Sequence, residues 1–171
     1  MLEDITPEEG FTMIERLAAV STTVAAIGCG ITAGVLLAFS VSVMPALRSQ
    51  PPASAASSMQ QMNVAIVSPV FMTVFLGSAA AATVAAVTTW MSHGDAAITV
   101  TVGAALFVIG CFLVTIVVNV PLNDALAVAD PQTDGGLETW STYLTRWTRW
   151  NHARTVAAIA ACAALTVAVR R

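Results

Sequence analysis

A polar run, Trp150-Asn151-His152-Ala153-Arg154, opens the last apolar stretch of the chain. An imidazole with an ordinary pKa of about 6.5 suits proton abstraction near neutral pH. A guanidinium two residues further on can hold negative charge developing on oxygen. Amide donors able to serve the same end recur at Asn63, Asn119 and Asn123. Asn119 and Asn123 are four apart, a spacing that puts them on one face of a continuing helix. Tyr143, Trp147 and Trp150 supply rings that stack on a flat aromatic ligand. The expected catalytic set is His152, Arg154, Asn119 and Asn123. The expected ligand-binding set is Asn63, Tyr143, Trp147, Trp150 and Asn151.

These residues are scattered, so the elements carrying them must bring them together. The 171 residues are 57% hydrophobic and 10% charged, where a soluble domain carries roughly a quarter charged residues. No charge falls in residues 17–47, 63–91, 96–123 or 155–169. A helix needs about 20 apolar residues to cross a hydrocarbon core of about 30 Å. Spanning segments must satisfy their own backbone groups, and these runs lack the alternation of barrel strands. The reading is an all-α polytopic membrane protein, a four-helix antiparallel transmembrane bundle in one domain, residues 1–171. Spans are expected at about 16–46, 63–91, 96–120 and 150–169, after an acidic segment 1–15. Thr6-Pro7-Glu8-Glu9 reads as a helix start. Acids stand where a signal peptide needs a basic region, so the first run is expected to remain as a helix.

Antiparallel crossings put the ends of spans one and three beside the beginnings of spans two and four. Asn63, Asn119, Asn123, Trp147 and Trp150 to Arg154 then share one end of the bundle, and His93 and Asp95 lie at the other. Trp140, Tyr143, Trp147, Asn151 and Arg154 step at three or four residues, one stripe of a helix entering span four. Pro121 and Pro69 each remove a backbone donor near this end. Residues 121–145 are expected as a polar connection.

A resemblance rests on these same residues. Asn119-Val-Pro-Leu-Asn123-Asp124, then Trp140, Tyr143, Trp147 and Trp150-Asn151-His152-Ala153-Arg154, are similar to the anthrone oxygenase-like membrane family. Met44-Pro45-Ala46-Leu47 and Met59-Gln60-Gln61-Met62-Asn63 resemble that family's first loop and second helix entry. The resemblance spans roughly residues 16–169. It implies a four-helix integral membrane protein, and an O₂-dependent oxidation of an anthrone or other quinone-like aromatic molecule without metal or flavin. No cofactor and no metal are therefore expected, and a hydrophobic aromatic molecule or lipid is the expected ligand.

Other readings stay open at this point. The alternative is a non-catalytic accessory or ligand-binding subunit of a larger membrane complex. Gly30 and Gly34 form a GxxxG pair that serves either packing within the bundle or a homo-oligomer. Met44, Met59 and Met62 fall near His152, and thioethers with imidazole suit copper. Bis-histidine haem within one chain is excluded, because His93 and His152 sit at opposite ends. The three cysteines lack paired spacing. A net charge of −3 with no basic tract excludes nucleic acid. The chain is expected in a bacterial plasma membrane with both termini cytoplasmic, on the strength of Arg170-Arg171.

Overall fold

The computed structural model describes residues 12–170, all-helical with no strand among them. Five helices follow in order: α1 (Met13–Arg48), α2 (Pro52–Ala65), α3 (Pro69–Met91), α4 (Ala97–Ala127) and α5 (Asp134–Val169). All but α2 are long and apolar enough to cross a membrane. The helix start expected at Thr6-Pro7-Glu8-Glu9 lies outside the described residues.

Local chemistry sets the boundaries. Thr12 caps α1 by accepting from the Glu15 N–H, and the Glu15 carboxylate accepts from the Thr12 N–H in return. Ser68 caps α3 and Pro69 fills its first position, where a missing N–H costs nothing. Pro69 therefore starts a helix rather than bending one. The expected single span 63–91 is interrupted: residues 63–65 are the end of α2, residues 66–68 are a break, and α3 supplies the rest. The expected connection 121–145 is largely helix, because α4 runs on to Ala127 and α5 begins at Asp134. Thr133 caps α5. Gly136 is needed there because the Asp130 carbonyl occupies the space of a Cβ. His93 closes α3 at φ 53°, the left-handed region that histidine visits more readily than most residues.

α1 packs on α3 and α5, and α4 packs on the same two helices, giving an antiparallel ring. Two cores result. An alanine-rich core, with Ala25, Ala82, Ala85, Ala158 and Ala161 all fully buried, lets the four long helices approach closely. Gly28 of α1 sits against Ser78, and Gly103 and Gly110 of α4 sit against Leu165 and Ala157. Of the GxxxG pair, Gly30 meets the Cys162 Sγ inside the bundle, while Gly34 faces open space. The second core holds Met44, Leu47, Met59, Leu126, Trp140, Tyr143 and Trp147, where α2 closes the end of the bundle. Outside, Val24, Ile27, Val87, Val102, Ile109, Val117, Val156 and Ile159 are exposed. A soluble protein rarely leaves so much aliphatic surface bare. The belt marks an integral membrane protein. At 1.5 Å per residue α1 and α5 are each about 54 Å long, well beyond a hydrocarbon core of about 30 Å.

Three turns are widened to π-helix: Phe39–Val43 in α1, and Val108–Leu113 and Thr115–Asn119 in α4. The first and third each end two residues before a proline, Pro45 and Pro121. A proline ring would clash with the carbonyl four residues back, and a widened turn relieves that clash without breaking the helix. All three flank one cavity, a placement in which π turns recur at functional sites.

Candidate functional site

The cavity has a volume of about 390 Å³ and lies between the two cores. Its walls are apolar: Phe39 and Leu36 from α1, Met59 from α2, Phe71, Met72 and Phe75 from α3, Phe112 from α4 and Trp147 from α5. Val67, Leu76, Ile116 and Val120 also line it and are themselves exposed on the outer face. Four polar side chains line it: Asn63, Thr115, Asn123 and Arg154. A small-molecule site commonly occupies about 300–1,000 Å³ with a few polar groups at fixed points.

Arg154 is the centre of the polar end. It is 4% exposed. Its Nη1 donates to Thr115 Oγ1 at 2.9 Å and its Nη2 to Asn151 Oδ1 at 2.7 Å. Its guanidinium carbon lies 5.4 Å from the centre of the Trp147 ring. Its Nε has no partner among the described residues. Asn151, fully buried, is the brace behind it: Nδ2 donates to the Leu36 carbonyl at 2.8 Å and to Ser40 Oγ at 2.9 Å. Ser40 sits in the widened turn of α1 and also meets Thr155 Oγ1 at 3.3 Å. The arginine is thus pinned to α4 directly and to α1 through Asn151.

A second polar knot involves Tyr143. Its hydroxyl donates to Asn123 Oδ1 at 2.9 Å and accepts from Asn63 Nδ2 at 3.3 Å. Asn63 and Asn123 come from α2 and α4, so the phenol ties both to α5. Trp140, Tyr143 and Trp147 stack in a ladder with centroids 5.8 and 5.7 Å apart and planes 18° from parallel. Gln60 Nε2 fastens α2 to the end of α4, donating to the Leu126 and Ala129 carbonyls.

Of the nine residues expected from sequence, Asn63, Asn123, Trp147 and Arg154 line the cavity. Tyr143 and Asn151 are buried directly behind that lining and hold it. Asn119 is fully buried but turned to α5, with Nδ2 donating to the Trp147 carbonyl at 3.4 Å and Oδ1 unpartnered. Trp150 and His152 are not in the lining, and both are exposed on the outer side of α5. The His152 ring meets Ser40 Oγ at 3.0 Å through Nδ1. Successive residues on a helix point about 100° apart, so Asn151 and Arg154 turn inward while His152 turns out. Thr115 and Ser40 were missed. Thr115 stands four residues before Asn119, a polar side chain in an apolar run, which was the available signal. No group of three or more His, Cys, Asp or Glu side chains is close enough to hold a metal ion among the described residues.

A transmembrane-type helical bundle with an apolar cavity, headed by one buried guanidinium and two amides, is the class that fold and site define. A family model described as anthrone oxygenase matches residues 71–164, more than half of the chain, and the protein belongs to that family. The matched span runs from α3 through most of α5 and contains Asn119, Asn123, Trp147 and Arg154. No curated protein and no solved structure matches the chain.

Proposed function

We propose that the protein is a membrane-embedded oxygenase that oxidises a flat, anthrone-like aromatic molecule with O₂ in this cavity, without a cofactor. The observation that carries the reading is a single buried arginine set at the polar end of an aromatic-walled cavity. The overall change is R₂CH₂ + O₂ → R₂C=O + H₂O. Loss of a proton from the methylene carbon to water at the membrane surface leaves an anion whose charge rests on the ring oxygen. That anion passes one electron to O₂, and the carbon radical and superoxide combine in a C–O bond. The second proton of that carbon passes to the outer peroxide oxygen as the O–O bond breaks, and the hydroxide released takes up the proton lost in the first step, giving the carbonyl and water.

In this scheme Arg154 and the amides of Asn63 and Asn123 hold the oxyanion, acting in a site of low dielectric where such donors are most effective. Phe71, Phe75, Phe112 and Trp147 cover the rings and exclude water. The ligand is a hydrophobic aromatic molecule drawn from the bilayer. The direct test is turnover by purified protein in liposomes under ¹⁸O₂. One labelled oxygen per product and one O₂ consumed per product are expected, both lost in Val35→Trp, which fills the cavity from α1. Absence of label in the product would overturn the reaction, and full activity in Val35→Trp would overturn the site.

A further inference from the structure

We propose that the cavity takes up its ligand already deprotonated, as a flat organic oxyanion for which Arg154 is the counter-cation. This rests on the cavity being the ligand site, but not on the oxygen chemistry.

Arg154 carries a charge into a site where, among the described residues, no acidic side chain balances it and only the face of the Trp147 ring meets it. Its hydrogen-bond partners, Thr115 from α4 and Asn151 from its own helix, are neutral. Ser40, which joins the same network from α1, is neutral as well. Among the described residues, the titratable groups that act on it electrostatically are the Cys111 thiol of α4 and the Tyr143 phenol of α5. Both are uncharged near pH 7 at their ordinary values. α2 contributes the Asn63 amide and α3 contributes only apolar side chains to the cavity. A buried cation is stable only when paired. Among the described residues, only two of the five N–H donors of the guanidinium are engaged, and Nε is buried with no acceptor. The missing partner is an acceptor with negative charge, and the cavity is where it fits.

The same lining lacks a group that accepts a proton near neutral pH. Among the described residues, no Asp, Glu or His lines the cavity, and the His152 ring is turned to the outer face, against Ser40. A ligand that entered neutral would find no base. One that ionises at the membrane surface and enters as its conjugate base needs none. The ligand class narrows accordingly to apolar ring compounds with an acidic O–H or C–H, such as phenols and enolisable ring ketones. Aromatic hydrocarbons and non-acidic quinones are poor ligands.

The test is anaerobic, with full-length protein in liposomes and 2-hydroxyanthraquinone as probe, because its phenolate has a visible band of its own. An opposite charge at close range shifts such an equilibrium by about one to three pH units, a 10- to 1,000-fold preference for the anion. The bound probe should therefore ionise at lower pH than in empty vesicles, and 2-methoxyanthraquinone should bind more weakly by a similar factor. Arg154→Lys should keep part of the preference and Arg154→Gln should abolish it. Should Arg154→Gln fail to fold, Asn151→Asp supplies an internal counter-charge and is expected to erase the preference too. A bound probe that ionises no more readily than in empty vesicles, or as readily in Arg154→Gln or Asn151→Asp as in the unaltered protein, would overturn the proposal. Anion preference without O₂ uptake would sink the oxygenase reading alone. Turnover with no anion preference would sink this one alone.

Discussion

Replacing Asn151 by Asp changes a single atom type at the most constrained position of the site. The Asn151 Oδ1 already accepts from Arg154 Nη2 at 2.7 Å, so the carboxylate inherits that contact with no rearrangement. With charge centres about 4 Å apart and an effective dielectric of about 20, the new pair attracts by roughly 4 kcal/mol. Burying the second ion costs several kcal/mol, so fold stability should move by no more than about 2 kcal/mol either way. Both donor bonds of the amide are lost, to the Leu36 carbonyl and to Ser40 Oγ, each worth about 0.6 kcal/mol in a membrane bundle. Ser40 can turn its hydroxyl to donate instead. The ligand feels a larger change. An oxyanion about 4 Å from the guanidinium and about 6 Å from the new carboxylate gains roughly 4 kcal/mol from one and loses roughly 3 kcal/mol to the other. Affinity for the phenolate probe should fall about 100-fold, and affinity for the neutral methoxy analogue should stay within about threefold. Quenching of tryptophan fluorescence measures both affinities, and thermal unfolding in detergent checks the fold. Asn151→Asp protein that unfolds like the parent and binds the phenolate within tenfold of the parent would show that the bare charge of Arg154 does not select the ligand.

Two further outcomes follow from the geometry. His152→Ala, read from sequence as the loss of a base, should leave kcat/KM within about threefold, because the ring lies on the outer face and meets Ser40 rather than the cavity; a loss of a hundredfold or more in steady-state O₂ uptake would return the imidazole to the reaction. Gly28→Ala should destabilise the bundle by about 1–3 kcal/mol in thermal unfolding, since its methyl would meet the Ser78 side chain, whereas Gly34→Ala, with open space at its Cβ, should be silent; equal effects at the two positions would refute the assigned α1–α3 contact.

Much of the architecture is written in long-range composition. The charge-free runs specify transmembrane helices because a bilayer interior tolerates little else, and alternate crossings put Asn63, Asn119, Asn123 and Arg154 at one end of the bundle regardless of packing detail. The break before α3 was also present as a signal, since Ser68-Pro69 is a cap followed by a proline at the first helical position. It was overridden because residues 63–91 read as one uninterrupted apolar run.

Facing is a different matter. Asn119 and Asn123 are four apart, yet one points at the Trp147 carbonyl and the other lines the cavity. Asn119 is itself the last residue of the widened turn Thr115–Asn119, so the regular helix on which the spacing argument depends begins only after it. Asn151, His152 and Arg154 lie within one turn of α5, and their rotation about its axis decides which of them is a brace, an outward ring or a counter-cation. From sequence alone came the membrane setting, the helices and the end of the bundle where the polar groups gather, because hydrophobic length and alternate crossing depend on local composition. The tertiary structure alone decided which polar groups meet a cavity, because a turn of about 100° per residue and three π turns set side-chain direction only once the helices have packed.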